Sequence, residues 1–194
     1  MPEDLSAHWS GSVPVAATIV VKRIESFSPT PYPDNPGNPH NTWTIGYGSI
    51  VDQQGQPITP HTPPVTEDEA TQLLLRDMAA AAAAVQGWVH VSLVVHEAAA
   101  LISWTYNLGA DSLRTSTMLA DLNNGNKAAV PGQMRRWHYQ ASEPLLGLLR
   151  RRWAEAGIFV GMDPSDAVTR AWAEVTTLDD WPAFDIQPTN GSMS

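Results

Sequence analysis

The stretch "SLVVHEAAALISWTYNLG", residues 92–109, constrains the fold most. It is apolar nearly all round and long enough for about four helical turns. A helix without a polar face has to be enclosed by other elements, so it marks the centre of a helical lobe. Gly109 is placed to cap its C-terminus. The rest of the chain must then supply the helices that surround it.

Those helices can be read in order. Residues 14–28 read as a first helix that ends before Pro29. Thr66 is a candidate N-cap with Glu69 three residues on, a capping box. "TEDEATQLLLRDMAAAAAAVQGW" then runs helical to about Gly87, and its alanine run 79–84 is strongly helix-forming. "STMLADLNNG" gives a short helix stopped by Asn-Asn-Gly. "VPGQMRRWHY", "EPLLGLLRRRWAEAGIF" and "DPSDAVTRAWAEV" give three more helical stretches. Between the first helix and Thr66 the pattern changes. Residues 29–42 form a Pro/Asn/Gly loop. "NTWTIGYGSIVDQQGQPIT" alternates β-formers with Gly and polar residues, which predicts a small antiparallel hairpin turning at "DQQGQ". No internal repeat is visible.

The 194-residue length suits one domain with two lobes, and 43% hydrophobic content suffices for a packed core. The expected organisation is a flexible N-terminus over 1–12 and a single domain over 13–186. That domain divides into a sheet lobe at about 29–64 and a helical lobe at about 65–186, with a flexible C-terminus over 187–194. With no cysteine, disulfides, Cys-ligated zinc and thiol catalysis are excluded. A net charge of −9 argues against a nucleic-acid partner, although Arg135–Arg136 and Arg150–Arg152 are locally basic. "VPVAATIVV", residues 13–21, is too short to span a bilayer and reads as the start of a core helix, so no membrane insertion is expected.

No metal site is expected: His90 and His96 are six positions apart and do not share a helix face. Neither a P-loop nor a dinucleotide fingerprint is present, and there is no nucleophile elbow. The better lead is a pair of carboxylates. Glu25 follows a stripe of Val20, Val21 and Ile24, with Phe27 beyond it, and is expected beside the buried face. Burial raises a carboxyl pKa, which suits a general acid. Asp34 lies in a Pro/Asn/Gly loop and is expected to stay ionised. Two carboxyls in contrasting environments are the pattern of glycoside hydrolysis, but from the residues alone the signal is weak: a Glu near a helix end and an Asp in a turn are usually a solvated side chain and a turn former.

The order of short motifs adds to this. "IESFSPTPYPDN…TWTIGYGSI" resembles the phage-type lysozymes of glycoside hydrolase family 24, whose pattern is an acid, then Y-x-D, then T-I-G-x-G. "VTEDEATQLLLRDM", "AALISWTYNLG", "STMLADLNNG" and "GLLRRRWAEAGIF" resemble that family's later blocks, in order, so the likeness covers about residues 20–160. The resemblance implies an α+β, predominantly helical, lysozyme-like fold with a small hairpin lobe and a larger helical lobe. It implies a muramidase that cuts the β-1,4 bond between N-acetylmuramic acid and N-acetylglucosamine without a cofactor. Glu25 would be the general acid, Asp34 the water-orienting base and Thr44 the residue that positions the water. Tyr32, Trp43 and Asn107 would bind substrate. The implied partner is the peptidoglycan glycan strand, acted on by a monomer held in the host cytoplasm until a holin-type pore releases it to the periplasm. Three positions depart from the family pattern: Ser26 replaces a Gly, Ser49 replaces a His, and the loop from Asp34 to Thr44, with Pro36, Pro39 and His40, is longer. A lytic transglycosylase and a non-catalytic wall-binding or virion structural module are the rival readings.

Overall fold

The computed structural model describes residues 3–34 and 42–184. The fold is α+β and predominantly helical, with a small antiparallel hairpin beside a large helical lobe. Helix α4 (Val95–Leu108) runs through the centre, and every residue from Glu97 to Thr105 is buried. Around it pack α1 (Ala16–Ile24), α3 (Ala79–Trp88), α5 (Ala110–Thr115) and α8 (Leu146–Phe159). Helices α6 (Thr117–Asn123), α7 (Val130–Arg135) and α9 (Pro164–Glu174) complete the lobe. The apolar run read from the sequence is therefore enclosed, as a helix without a polar face requires.

Helix α2 (Glu67–Asp77) begins at the expected capping box. The Thr66 hydroxyl accepts from the Glu69 N–H at 3.2 Å, and the Glu69 carboxylate accepts from the Thr66 N–H at 2.8 Å. The expected single helix to Gly87 is broken once, at Met78, which separates α2 from α3. Gly109 caps α4 with φ +88°, a backbone conformation that favours glycine.

The first helix is shorter than 14–28. It stops at Ile24, and strand β1 (Ser28–Pro33) follows at once. The first five residues of the expected 29–42 loop are thus a strand, paired antiparallel with β2 (Trp43–Gly46). The register joins Ser28 with Gly46, Tyr32 with Thr44 and Pro33 with Trp43, with an irregularity between Ser28 and Tyr32. Alternation explains how a strand with Pro29, Pro31 and Pro33 can pair. All three point their missing N–H to the same edge, away from β2. The Pro29 carbonyl lies on that outer edge and accepts from Val65 N–H at 2.9 Å. The "DQQGQ" turn closes a single bridge between Val51 and Pro57 instead of a second strand pair. Beneath the hairpin, Ile45, Ile58 and Leu73 form a small separate core. A second short hairpin, β3 (Tyr139–Gln140) with β4 (Glu143–Pro144), lies ahead of α8.

Residues 3–12 do not trail as a tail. Glu3 accepts from the Val15 and Ala16 N–H groups at 3.0 Å each and so caps α1. The segment then runs along the start of α4, with Trp9 N–H donating to the Leu93 carbonyl and His96 N–H to the Leu5 carbonyl. The expected C-terminal tail, 187–194, lies outside the described residues.

Candidate active site

Glu25 is the C-cap of α1. Its N–H donates to the Val21 carbonyl at 2.8 Å, and its backbone is already extended (φ −84°, ψ 113°). Because the helix ends one residue earlier, the side chain leaves the apolar stripe, and Glu25 is exposed. The expected half-burial is therefore corrected. Val20 and Val21 are fully buried, while Ile24 and Phe27 are each 36% exposed.

The end of this helix is held by ring contacts. Lys22 lies over the Tyr47 ring at 5.3 Å, and Arg23 over the Trp172 ring at 5.1 Å. Phe27 meets Tyr47 with ring centroids 5.7 Å apart. The Tyr47 hydroxyl donates to the Glu67 carboxylate at 2.8 Å. Burial, with that hydrogen bond and the Glu67 charge, pushes the Tyr47 phenol up to about 12. Tyr47 thus ties the exit of α1, the turn after β2 and the start of α2 to one another. Gly46 lets this turn lie against α2: it has φ +67°, and a Cβ there would stand 2.8 Å from the Ala70 Cβ.

Asp34 lies just past β1 and is exposed, as expected. Its N–H donates to the Thr42 carbonyl at 2.9 Å, which continues the hairpin pairing by one step. Tyr32 pairs with Thr44 two residues earlier. Side chains alternate along a strand, so Tyr32, Asp34 and Thr44 share one face of the hairpin. Thr44 is only 4% exposed, and its hydroxyl donates to the Tyr32 carbonyl at a long 3.3 Å. Trp43 points the other way and packs half-buried on the Ile45, Ile58 and Leu73 cluster. The part of the long loop over residues 35–41 lies outside the described residues. Ser49, where the family pattern has His, is buried and donates to Asp77 at 2.5 Å.

The helical lobe brings further groups to this region that sequence reasoning missed. Tyr106, near the end of α4, has its phenol pushed up, chiefly by burial. The negative fields of Asp77 and Glu25 add to this, and Arg151 opposes it. Side chains from α1, α2, α4 and α8 therefore act on one another at this point. Behind it lies a buried charge network on α8. Glu155 accepts from Ser103 at 2.7 Å and from Arg151 at 3.1 Å, and stands 3.1 Å from Arg152. All of these groups are buried. Burial draws the Arg152 guanidinium down to about 10, against the pull of Glu155 and with the like charge of Arg151 adding to it. Arg152 also donates to the Asn107 side-chain oxygen at 2.5 Å. Two of the three arginines in the run thus pair with Glu155, while Arg150 donates to the Val175 carbonyl at 2.9 Å. The sequence signal for the network is the i, i+4 and i, i+3 spacing of Arg151 and Arg152 from Glu155 on one helix.

Of the tryptophans in the helical lobe, Trp104 and Trp153 are fully buried in the core. Trp137 is half-buried, meets Trp104 edge-on at 5.1 Å, and lines a cavity of about 340 Å³ with Thr115, Ser116, Thr117 and Arg136. Among the described residues, no group of three His, Asp or Glu side chains is placed to hold a metal ion.

Comparison with known proteins finds phage lysozymes and endolysins. The chain is 30% identical over 158 residues to the SAR-endolysin of Enterobacteria phage P21, covering 79% of this chain and 90% of that protein. It is 29% identical over 147 residues to the endolysin of Bacillus phage PZA, covering 76% of this chain and 54% of that protein. Among solved structures, a variant of P22 lysozyme superposes with a TM-score of 0.69 at 25% identity, over 77% of this chain and 99% of that one. The endolysin from Escherichia coli O157:H7 phage FAHEc1 does so with a TM-score of 0.64 at 28% identity, over 77% and 94%. The sequence profile described as phage lysozyme matches residues 22–155, which hold Glu25, the hairpin, α4 and the network on α8, and the chain belongs to that family.

Proposed function

We propose that the protein is an endolysin-type muramidase that hydrolyses the β-1,4 bond between N-acetylmuramic acid and N-acetylglucosamine in peptidoglycan, with inversion at the anomeric carbon. Family membership supports the coarser statement that it is a peptidoglycan-degrading endolysin. The observation that carries the finer one is the hairpin register, which sets Asp34 and Thr44 on one face as diagonal neighbours. Diagonal neighbours stand about 7–8 Å apart along the backbone, which leaves room for a water between their side chains. Asp34 accepts a proton from that water as it attacks. Thr44 holds the water by its hydroxyl oxygen, which has acceptor capacity left after donating to Tyr32. Glu25, on the other side of the scissile bond, protonates the leaving oxygen. Tyr32 and Asn107 contact the sugar, and Trp43 shapes the hairpin beneath them.

The protein acts as a monomer, in the periplasm, after leaving the host cytoplasm through a holin-type pore. Burial of Ala16, Ala17, Val20 and Val21 in the core supports reading residues 13–21 as part of the folded enzyme. Among the described residues, no helix is long and apolar enough to cross a membrane.

The test is wall digestion followed by NMR of the new anomeric centre before it mutarotates. An α-configured reducing end is expected, and Glu25→Gln should lower the rate at least about a hundredfold with an unchanged circular dichroism spectrum. A β product would make Asp34 a nucleophile. A product without a reducing end would mean a lytic transglycosylase, and wall binding without cleavage would mean a non-catalytic module.

A further inference from the structure

We propose that Arg152, itself held by Glu155, fixes the Asn107 amide so that it faces solvent as a hydrogen-bond donor only, and that its ligand is an amide carbonyl oxygen of the wall polymer. The inference rests on the muramidase reading and adds a chemical specificity to it.

An asparagine side chain is ordinarily ambiguous. Its oxygen and nitrogen differ little in shape, and either can face a ligand. Here the partner removes the ambiguity. A guanidinium has five donors and no acceptor, so the atom that meets Arg152 must be the oxygen. The contact is short, 2.5 Å, and Arg152 is fully buried while Asn107 is exposed. The amide nitrogen is therefore the outward group, and it has no partner among the described residues. It offers two N–H donors at the end of α4, next to Tyr106, whose hydroxyl lies within the field of Glu25.

Glu155 makes this orientation stable. It stands 3.1 Å from Arg152 and binds Arg151 and Ser103 as well, so the guanidinium has little freedom to turn. The network holds two arginines and one carboxylate, an excess of one positive charge. That excess further favours an oxygen, never a nitrogen, toward Arg152. Two donors fixed in this way select an acceptor. In peptidoglycan hydroxyl and ether oxygens also accept, but the strongest neutral acceptor is the amide carbonyl, which occurs both in the N-acetyl group of each sugar and in the stem peptide. Asn107 is thus a binding residue, and Arg152 and Glu155 are positioning residues.

Asn107→Asp tests this. The variant keeps an oxygen on Arg152 and supplies the missing negative charge, so its melting temperature should equal or exceed that of the wild type. Its outward atom becomes an acceptor. The kcat/KM on intact wall should fall at least about tenfold, chiefly through KM. Persistence of the loss on strands stripped of stem peptide, and its disappearance on de-N-acetylated strands, would identify the acetamido carbonyl. Disappearance on peptide-free strands would identify the peptide. Arg152→Lys keeps the charge and loses the fork, so it should weaken the same discrimination. Wild-type kcat/KM for Asn107→Asp would overturn the proposal. A second measurement needs no variant: the Asn107 side-chain amide resonances of the wild-type protein should shift on titration with a soluble disaccharide-peptide fragment of the wall, which carries both N-acetyl groups and stem peptide. An amide pair that stays in place overturns the proposal too. Should the wild-type protein cut no wall, the muramidase reading falls, and this titration still decides the role of Asn107.

Discussion

The two lobes solve the problem of staying folded in different ways. The helical lobe encloses a continuous core around α4 and α8 and can bury charge inside it. Among the described residues, the sheet lobe has a small core of Ile45 and Ile58, closed by Leu73 from α2. It relies on polar ties to its loops. Arg76 donates to the Val51 carbonyl at 3.0 Å, to the Asp52 carbonyl, and to Asp77 at 2.7 Å. Asp52 accepts from the Gln54 and Gln56 N–H groups at 2.9 and 2.8 Å. Ser49 adds its bond to Asp77. Apolar burial contributes in proportion to area, so a small lobe gains little from it and needs such ties to order its loops. Tyr106 and Asn107 therefore stand on the more deeply buried lobe, and Asp34 and Thr44 on the lighter one. Glu25 lies at the joint between them.

Glu155→Ala should give the largest effect. It leaves two buried guanidinium groups without their carboxylate, a change that costs about 3–5 kcal/mol. In a domain of this size that lowers Tm by on the order of 10 °C. The whole protein should lose stability, because α4 and α8 form the common core. A loss confined to activity, with Tm unchanged, would show that the network is solvated and that the two lobes differ less than their burial indicates.

Arg76→Ala sharpens the contrast from the other side. It removes ties to two backbone carbonyls and one carboxylate from a side chain that is 36% exposed. The expected cost is about 1–2 kcal/mol, felt locally. Amide hydrogen exchange should quicken over residues 49–58 while protection in α4 and α8 stays as it was. Equal loss of protection in both lobes would mean that they open as one unit.

The same contrast explains what could be read in the sequence. The helical lobe was legible because its rules are periodic and local: an apolar run for α4, the Thr66 and Glu69 box for α2, Gly109 for a cap. The sheet lobe was less so. Pro29, Pro31 and Pro33 argue against a strand until their common edge is known, and that edge is set by the partner β2. Glu25 was misjudged for a similar reason. Its apolar neighbours suggest burial only if the helix continues, and one residue of difference in the helix end turns the side chain outward. The charge network was half legible. Arg151 and Arg152 lie four and three residues before Glu155 on one helix, but nothing local shows that Ser103 and Asn107 meet them from α4.

Acid should separate the lobes most gently. Asp180 accepts from the Thr176 and Thr177 N–H groups at 2.7 and 2.8 Å and from the Thr176 hydroxyl at 2.8 Å. These bonds hold its carboxyl down to about 2. Glu69, at the joint between the sheet lobe and α2, is also held below the usual carboxylate range by the Thr66 N–H and hydroxyl. Both pKa values are lower in the folded chain than in the unfolded one. The stability they add is therefore present above the unfolded values, near pH 4, and fades as pH falls below that. For Asp180 the fading extends down to about pH 2. It orders the turn that brings Trp181 and Phe184 onto the helical lobe, where Phe184 meets Trp153 at 5.1 Å and Arg135 lies over Trp181 at 5.5 Å. Tryptophan fluorescence should thus show a small transition between about pH 4 and 2, ahead of or within acid unfolding. Asp180→Asn keeps an acceptor for the same N–H groups and removes the titration, so that component should vanish. Activity at neutral pH should be unchanged, because Asp180 bonds only Thr176 and Thr177 among the described residues and touches none of the residues placed in the site. An acid profile identical in the two proteins would show that this turn is held by Trp181 and Phe184 alone.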